Sequence, residues 1–328
     1  MKTHLPFNLL RQLFKLIALT ILIFPTICNC QSFPDKPVQI IVPYAPAGLT
    51  DNIARFYAQQ LKDIWTQTIL VENRPGAGAS LGAAHAARSN PDGYTILLGS
   101  VGMVTNPFLF KELPYKSSDL SPIALVAFAP NVLYVHSSIP ARNVVELVNF
   151  AKKNPGILSF ASAGVGSSPH LAAELFASSA GIKILHIPYK GNQDALNDVL
   201  SGQITMTFSG LQPLLSNIQA GKVKALVVAG DKRMSAIADV PTVAELGLKG
   251  AEVMPWYGVI APAGTPTSIV NLLNKVIVEI MARPEIFNQF KANGSEPNTG
   301  TPAQFGELIS SDVLRWGDVI KRAGIQTQ

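Results

Sequence analysis

Short runs of apolar residues alternate along the chain with longer segments whose apolar positions recur at helical spacing. The short runs predict nine strands, at residues 38–42, 68–72, 95–99, 132–135, 158–161, 184–187, 204–208, 223–228 and 257–261. They are nearly continuous in apolar character, which is typical of parallel strands covered on both faces. Helical spacing predicts helices over 51–65 and 142–153, and Pro266 and Pro284 stand where two C-terminal helices should begin. The pattern therefore predicts a doubly wound α/β chain.

Two stretches, residues 38–55 and 158–176, share one design: a buried strand, a loop of small residues, then an amphipathic helix. The first N–H groups of such a helix lack intrahelical partners and carry the positive end of the helix dipole. Small loop residues let an anion approach the backbone closely. Either stretch alone is better interpreted as an ordinary strand-to-helix turn. The pair favours a cleft that grips a small acidic molecule from both sides.

The N-terminus carries the pattern of a secretory signal peptide. Three basic residues precede an apolar run at residues 16–27, which is too short for a comfortable transmembrane helix. We expect cleavage after Cys30, which leaves Gln31 as the new terminus; a lipoprotein, cleaved before Cys28 or Cys30, is the alternative. No other stretch is apolar for the ~18 residues that a span needs. The sequence therefore predicts an exported, periplasmic protein.

Composition narrows the function further. Both cysteines fall in the predicted signal peptide, so the remaining chain has neither a disulfide framework nor a thiol nucleophile. The formal net charge falls from +5 to about +2 without the three basic residues of that segment. There is no run of Lys and Arg and no basic stripe with interleaved aromatics, which argues against a nucleic-acid partner. The mild positive charge favours acidic small solutes.

About 298 residues remain after cleavage, which suits two domains better than one. No Gly/Ser linker divides the chain, but two extended segments, at 131–136 and 255–261, could cross between domains. Two crossings predict a first lobe of residues 31–130 plus 255–328 and a second lobe of residues 131–254, after a signal peptide at 1–30. That arrangement is a hinged clamp with its ligand at the carboxyl ends of the strands.

Nine runs of residues carry a family resemblance across nearly the whole predicted mature chain. They are IVPYAPAG-(x)2-D-(x)2-AR at 41–55, VENRPGAG at 71–78, PDGYTILLG at 91–99, NPFLF-(x)2-LPY at 106–115, ASAGVGSSPHLAAELF at 161–176, HIPYKG at 186–191, AGKVKAL at 220–226, VPTVAELG at 240–247 and WYGVIAPAGTP at 256–266. In order and spacing the chain resembles the Bug-type extracytoplasmic solute receptors, the binding component of tripartite tricarboxylate transporters.

The resemblance implies a two-lobed periplasmic-binding-protein fold, type II-like, with doubly wound sheets joined by two crossover segments. It also implies a monomer without catalysis, cofactor or metal. The implied ligand is a small organic anion, and the implied partners are membrane permease subunits. A receptor that signals to a membrane sensor is a second interpretation, because its clamp would have the same sequence.

The resemblance also implies ligand-binding positions. The first loop supplies Tyr44, Ala45, Ala47, Gly48, Thr50 and Asp51. The wall of the first lobe supplies Ser100, Gly102 and Asn106. The second loop supplies Ser162, Gly164, Gly166, Ser167 and His170, with Tyr189 and Lys190 nearby and Ser209 on a later strand.

Three positions in or beside this set depart from the family pattern. Ala47 stands where relatives usually have Gly, Leu49 where the residue is usually small or polar, and Ser209 where relatives often carry Asp. The missing acid at 209 disfavours an amino-bearing ligand, and Leu49 would add an apolar contact. We therefore expect a short dicarboxylate or a monocarboxylate in preference to an amino acid.

Several of these residues have a structural alternative. Asp51 could equally stabilise the first turn of its helix, and Lys190 could lie on a solvated loop. His170 and Glu174 have the i, i+4 spacing of half a metal site, but no second pair accompanies them, so a structural role is favoured. Trp256 is interpreted as packing at a crossover.

A secreted hydrolase is the enzyme alternative, and the sequence argues against it. Ser100 lies in Leu98-Gly99-Ser100-Val101-Gly102, which lacks the first Gly of a nucleophile elbow. Ser167 and His170 stand three residues apart, without an acid placed to orient the imidazole.

Overall fold

The computed structural model describes residues 33–325, and the chain from Lys36 onward forms one compact unit. The signal peptide, its cleavage after Cys30 and lipidation of Cys28 or Cys30 lie outside the described residues. The strands are β1 (Val38–Val42), β2 (Ile69–Asn73), β3 (Thr95–Ser100), β4 (Leu120–Phe128), β5 (Val132–His136), β6 (Ser159–Ser162), β7 (Leu185–Pro188), β8 (Met206–Ser209), β9 (Val223–Val228), β10 (Trp256–Pro262) and β11 (Glu296–Pro297).

Helices occupy most of the segments between the strands. They are α1 (Leu49–Trp65), α2 (Ser80–Ala87), α3 (Gly102–Leu109), α4 (Val144–Lys153), α5 (Ser168–Ala180), α6 (Asn192–Leu200), α7 (Leu215–Gln219), α8 (Thr267–Met281), α9 (Pro284–Ala292) and α10 (Pro302–Ala323). The helices predicted at 51–65 and 142–153 and after Pro266 and Pro284 are confirmed as α1, α4, α8 and α9. No helix within residues 33–325 is both long and apolar enough to cross a membrane.

The strands form two sheets. The first has the order β11-β4-β10-β3-β1-β2, and the second has the order β7-β6-β8-β5-β9. Strands β1 to β3 pair in parallel, as do β6, β7 and β8. Each sheet thus contains a group of three parallel strands, β3-β1-β2 in the first sheet and β7-β6-β8 in the second.

The apolar pattern suggested parallel strands, which holds for the pairs of β1 to β3 and of β6 to β8, whereas β5 and β10 pair antiparallel to both of their neighbours. The continuous apolar character of these strands reports burial on both faces, and burial does not depend on the direction of the neighbours. Both sheets are therefore mixed.

All nine predicted strands are present, with ends shifted by no more than two residues. Strands β4 and β11 were not predicted. β4 contains Pro122, and a proline inside a run argues against a strand because it cannot donate to the ladder. The structure accommodates Pro122 opposite Ile260, beside an irregularity in the register with β10. β11 is only two residues long.

The chain crosses between the sheets twice, at residues 129–131 and again between β9 and β10. The two crossings are hydrogen-bonded to each other: Ala129 N donates to Pro255 O at 3.0 Å, and Val253 N donates to Ala229 O at 2.8 Å. The segments predicted to cross, 131–136 and 255–261, largely form β5 and β10 themselves. Each crossing therefore leads directly into an inner strand of the sheet that it enters.

Candidate functional site

The two loops of small residues, at 43–48 after β1 and 163–167 after β6, bring the starts of α1 and α5 to one place. The first intrahelical bond of α1 runs from Asn52 N to Gly48 O at 2.9 Å, and that of α5 from Leu171 N to Ser167 O at 3.1 Å. The N–H groups of the first turn of each helix precede these bonds and have no intrahelical acceptor. Pro169 in the first turn of α5 lacks an N–H, so that helix offers fewer donors.

A small cavity, here called the chamber, lies between the two helix starts. Its volume is about 20 Å³, the scale of one water molecule. It is lined by Tyr44, Gly48, Leu49, Thr50, Ser100, Ala163, Ser167, Ser168, Pro169, Asn192 and Tyr257. None of these described lining residues is a Lys, Arg, Asp or Glu. An anion in the chamber would be met by hydroxyl groups, one side-chain amide and the positive ends of two helix dipoles.

The phenol groups at the chamber are neutral hydrogen-bond donors. The hydroxyls of Tyr44 and Ser100 lie 3.1 Å apart and are buried. Burial raises the pKa of Tyr44. Burial, with the neighbouring Tyr44, also raises the pKa of Tyr257, although the Ser168 hydroxyl opposes that shift. Both phenols therefore keep their protons at and well above neutral pH.

The first loop is braced by a buried carboxylate. Asp51, only 2% exposed, accepts hydrogen bonds from Ala47 N at 2.9 Å, Arg55 Nε at 2.8 Å and Asn73 Nδ2 at 2.9 Å. Asn73 Nδ2 also donates to Tyr44 O at 3.0 Å. Burial alone would raise the pKa of Asp51, but the hydrogen bonds from Arg55, Ala47 and Asn73 outweigh it and lower that pKa. The carboxylate thus holds the loop from behind and does not line the chamber.

The same contact accounts for an alanine where a glycine is expected. Ala47 has φ 66°, in the left-handed region that favours glycine. Its backbone N–H donates a hydrogen bond to the carboxylate of Asp51. The fixed N–H stabilises a conformation that otherwise costs an alanine roughly 1–2 kcal/mol.

The second loop is braced by imidazoles. Gly166 N donates to His170 Nδ1 at 3.2 Å, and Ser162 Oγ lies 2.7 Å from His186 Nε2. Gly164 N donates to the same Ser162 hydroxyl at 3.1 Å. The two imidazole rings stack with their centroids 4.3 Å apart. The histidine pair, His170 and His186, therefore holds the loop from the side away from the chamber.

Both imidazoles are neutral at neutral pH. Burial, with a further contribution from His186, lowers the pKa of His170 to about 3. Burial lowers the pKa of His186 to about 4. His170 Nε2 lies 3.8 Å from Glu174 Oε1, and no group of three potential metal ligands occurs within residues 33–325. The unprotonated Nδ1 of His170 accepts the hydrogen bond from the backbone N–H of Gly166.

The two loops also touch elements of the opposite sheet. Thr105 Oγ1 on α3 donates to Gly166 O at 3.0 Å, and a Cβ added to Gly166 would lie 2.6 Å from Asn106 Oδ1. A Cβ added to Gly78 would clash with Val165 O. Glycines here allow backbone to approach backbone. Gly166 thus faces α3 and does not line the chamber.

A larger groove, about 440 Å³, lies on the side of the crossings. Its lining includes Lys232, Arg233, Phe287, Lys291 and Glu296, all exposed. The guanidinium of Arg233 is already paired with the carboxylate of Glu245, with Nε and Oε2 2.9 Å apart. Among the described lining residues of this groove, Ser295 is the one buried polar side chain.

The comparison with known proteins agrees with the fold. A family model described as "Tripartite tricarboxylate transporter family receptor" matches residues 53–325. The chain belongs to this receptor family. The receptor is 35% identical over 299 residues to protein BugT of Bordetella pertussis, covering 90% of this chain and 92% of that protein.

Three solved structures resemble the receptor along most of its length. The periplasmic binding protein BugD is 36% identical, covers 90% of this chain and all of its own, and gives a TM-score of 0.86. Rpa4515 of R. palustris with adipate is 32% identical, with coverage of 90% and 100% and a TM-score of 0.87. MatC of Rhodopseudomonas palustris with bound malate is 29% identical, with coverage of 88% and 100% and a TM-score of 0.83.

The resemblance read from the motifs is confirmed. The receptor has the type II periplasmic-binding-protein fold, with two mixed α/β sheets, and is a solute-binding protein and not an enzyme. Of the two residues weighed as a hydrolase pair, Ser167 Oγ donates to Gly164 O at 2.6 Å and His170 Nδ1 accepts from Gly166 N. The serine and the imidazole are therefore occupied with other groups.

The structure brings some of the expected residues together and leaves others apart. Those that line the chamber are Tyr44, Gly48, Thr50, Ser100 and Ser167. Those that brace or back the loops are Ala47, Asp51, Gly102, Asn106, Ser162, Gly164, Gly166 and His170.

Four expected residues of the receptor lie elsewhere. Ala45 packs against Gly191, where a Cβ would clash with it. The Tyr189 hydroxyl donates to Asp198. Lys190 is exposed and, like Tyr189, lines a pocket of about 160 Å³ that shares Tyr44 and Ala163 with the chamber. Ser209 is buried at the end of β8, opposite Val132.

Sequence reasoning missed five lining residues of the receptor: Ala163, Ser168, Pro169, Asn192 and Tyr257. A signal was available for Asn192, because Gly191 and α6 follow β7 in a third strand–loop–helix unit. Tyr257 comes from the start of β10, far along the chain. Nothing local distinguishes it from a core aromatic.

Proposed function

We propose that the receptor captures a small organic acid in the chamber, between two lobes, and presents it to a membrane permease. The observation that carries the proposal is the convergence of the starts of α1 and α5 on one cavity with neutral hydroxyl and amide groups. Helix N-termini favour anions, and exposed first-turn N–H groups can donate to a carboxylate. The carboxylates named with two similar structures support this choice of ligand class.

The proposed lobes are residues 31–130 with 255–328 and residues 131–254. The strands of the first sheet fall within the first set, and those of the second sheet fall within the second. The hydrogen-bonded crossings at 129–131 and 253–255 are the proposed hinge. A few residues at such a crossing can absorb a rotation of one lobe against the other.

Closure follows from the size of the chamber. A cavity of about 20 Å³ holds a water molecule but not a dicarboxylate. The acid therefore enters when the lobes are apart, and closure forms contacts such as Asn52 Nδ2 to Gln212 Oε1 at 2.8 Å. In the closed form that holds the acid, the chamber is wider than in the closed form without it. A closed, loaded shape is what a membrane partner would recognise.

The lining of the chamber favours an acid without an amino group. No carboxylate lies among its described lining residues, so an ammonium group would find no counter-charge. Hydrogen bonds to a charged carboxylate contribute about 1.5–3 kcal/mol each. A few of them, offset by desolvation and closure costs, are consistent with ~micromolar affinity or tighter.

The proposed place of action is the periplasm, after removal of residues 1–30. The charge–apolar–small pattern at the N-terminus supports export. The intact mass of the protein from a Gram-negative periplasm should match a chain that begins at Gln31. A retained N-terminus would contradict export, and the mass of a lipidated cysteine would favour the lipoprotein alternative.

Calorimetry on matched ligands tests the function. We expect the mature receptor to bind succinate more tightly than aspartate, or phenylpropionate more tightly than phenylalanine, because each pair differs only by the amino group. Ser100→Ala should weaken binding of the acid about tenfold, the loss of one donor to a charged group. Ser89→Ala is the matched control, since that hydroxyl donates to His85 O and does not line the chamber.

Two outcomes would contradict the proposal. One is tighter binding of the amino acid in both pairs. The other is binding of the acid that is unchanged in Ser100→Ala at constant thermal midpoint, which would place the ligand outside the chamber.

A further inference from the structure

A second cavity, here called the outer pocket, adjoins the chamber. Its volume is about 170 Å³. It is lined by Leu49, Asn52, Ile53, Phe56, Gln212, Gln289, Phe290, Asn293 and Ser295. Of the described residues, Leu49 alone lines both the chamber and the outer pocket. The side chain of Leu49 is thus the part of the molecule that the two cavities share.

Leu49 lies on the helix that follows β1 of the first sheet and packs against the segment that follows β8 of the second. It is the first residue of α1 and is 6% exposed. Its Cδ2 lies 3.1 Å from the position that a Cβ on Gly210 would take, directly after β8. The bond from Asn52 to Gln212 lies one helical turn further along α1. Leu49 packed on Gly210 therefore forms the wall between the two cavities.

The outer pocket has a distinct chemistry. Ile53, Phe56 and Phe290 give it an apolar side, and four amide side chains surround them. None of the described lining residues is charged. Such a pocket suits an aliphatic or aromatic chain that ends in a group able to accept hydrogen bonds from amides. A ligand held by its carboxylate in the chamber would extend into this pocket if the wall were absent.

We propose that Leu49 is a specificity-determining residue that sets the length of the acid the receptor accepts. The inference rests on the proposed function, because it assumes that the carboxylate lies in the chamber. With leucine at 49, atoms beyond the chamber meet the isobutyl group packed on Gly210. The receptor therefore takes short acids and excludes their chain-extended homologues. A smaller residue at 49 joins the chamber to the outer pocket and admits them.

The test is the selectivity between a short acid and its extended homologue, measured by calorimetry. The two pairs are succinate with suberate and benzoate with phenylbutyrate. The wild-type receptor should favour the short member of the pair that it binds. Leu49→Ala should shift the ratio of the two Kd values towards the long member by about tenfold or more. Leu49→Val should shift the ratio in the same direction by less.

Gln289→Ala is the matched control. Gln289 is exposed and lines only the outer pocket, so its removal widens that pocket without opening the wall. The ratio of Kd values should stay at the wild-type value. Thermal midpoints of the free proteins check that each variant folds. The valine variant keeps most of the side chain, so the test does not depend on the alanine variant alone.

The outcomes separate this inference from the proposed function. If succinate or benzoate binds and the ratio is unchanged in the folded position-49 variants, Leu49 does not set ligand length, although the proposed function stands. A wild-type preference for the long member also overturns the inference alone. If the wild type binds none of the acids tested here or in the amino-group comparison, the proposed function fails and the inference fails with it.

Discussion

The two loops at the chamber share one strand–loop–helix design but have different supports. The first is held by the ionised carboxylate of Asp51, and the second by the neutral imidazoles of His170 and His186. The first tolerates an alanine at φ 66°, whereas the second has glycines at φ 116° and 81°. A sequence pattern can therefore predict the position of a loop between a strand and a helix without predicting which residues stabilise it. The charged support and the neutral support should fail in different ways.

The largest effect is expected from a side chain at Gly166 in the second loop. Gly166→Val should weaken binding of the acid by more than about a hundredfold. Its Cβ would meet Asn106 Oδ1 at 2.6 Å in the closed form, and a β-branched residue is strained at φ 81°. Titration calorimetry measures the affinity, and thermal unfolding measures the cost to the fold.

Gly181→Val provides the control for backbone strain. Gly181 has φ 63° at the end of α5, and a Cβ there would meet nothing within 4 Å. It should lower stability without changing affinity. Equal affinity for wild type and Gly166→Val would contradict the closed contact with α3.

Removing the support of the first loop should have the next largest effect. Asp51→Ala leaves Ala47 N, Arg55 and Asn73 without their shared acceptor, and should lower the free energy of unfolding by about 2–3 kcal/mol. Binding should weaken as well, because the loop that carries the start of α1 is no longer fixed. Denaturant unfolding and calorimetry measure the two effects.

Asp63→Ala is the control for this change. Asp63 lies on the same helix, is exposed, and accepts only from Gln59 Nε2 at 2.9 Å among the described hydrogen bonds. Its removal should change stability by less than about 0.5 kcal/mol. Similar losses for the two variants would mean that Asp51 is not a support.

The two supports should also differ in their pH dependence. The pKa values of His170 and His186 fall to about 3 and about 4 in the folded chain, against about 6.5 for an unfolded histidine. Since the unfolded chain binds those protons first, stability is lost as pH falls from about 6.5 towards these folded values. Asp51, with its lowered pKa, loses its contribution only below its ordinary value of 3.8. Glu174, whose pKa burial raises, faces His170 with its Oε1 3.8 Å from Nε2.

Denaturant unfolding as a function of pH measures this difference. His170→Gln should reduce the loss between pH 6.5 and 4, because an amide does not titrate. Asp51→Asn should leave that range unchanged. An equal loss of stability in wild type and His170→Gln would mean that this imidazole does not cause the pH dependence. Affinity for a fully ionised acid should stay flat from pH 6.5 to 9, since the titratable groups among the described lining residues are phenols with raised pKa values.

The smallest effect is expected away from both loops, at the contact between α1 and Gln212. Asn52→Ala removes the hydrogen bond of 2.8 Å to Gln212 that joins the two proposed lobes, worth about 0.5–1.5 kcal/mol. Affinity should fall several-fold, mainly through faster release of the acid. Stopped-flow kinetics measure the release rate, with Gln59→Ala as the control on the exposed face of α1. A release rate equal to that of the wild type would mean that this bond does not hold the clamp closed.

The sequence predicted those features that depend on local pattern. Alternation of apolar runs and amphipathic segments located the nine strands, and small residues after β1 and β6 located both loops. Motif order identified the family. The antiparallel direction of β5 and β10 was not predictable, because apolar continuity records burial only.

The detailed site was less predictable, for a physical reason. Whether Asp51 faces a ligand or its own loop depends on Asn73, which comes from the end of β2. Whether Gly166 faces the chamber or α3 depends on how closely the two halves approach. Tyr257 enters the chamber through the register of β10 against β3. Each of these is a long-range contact that no local window of sequence contains.

The most direct test of the account is a crystal structure of the mature receptor with the acid that binds most tightly in calorimetry. We expect carboxylate oxygens in the chamber, within hydrogen-bond distance of first-turn N–H groups of α1 or α5 and of the Tyr44 or Ser100 hydroxyl. An acid bound in the groove of Lys232 and Lys291, or a carboxylate paired with any lysine or arginine, would contradict it.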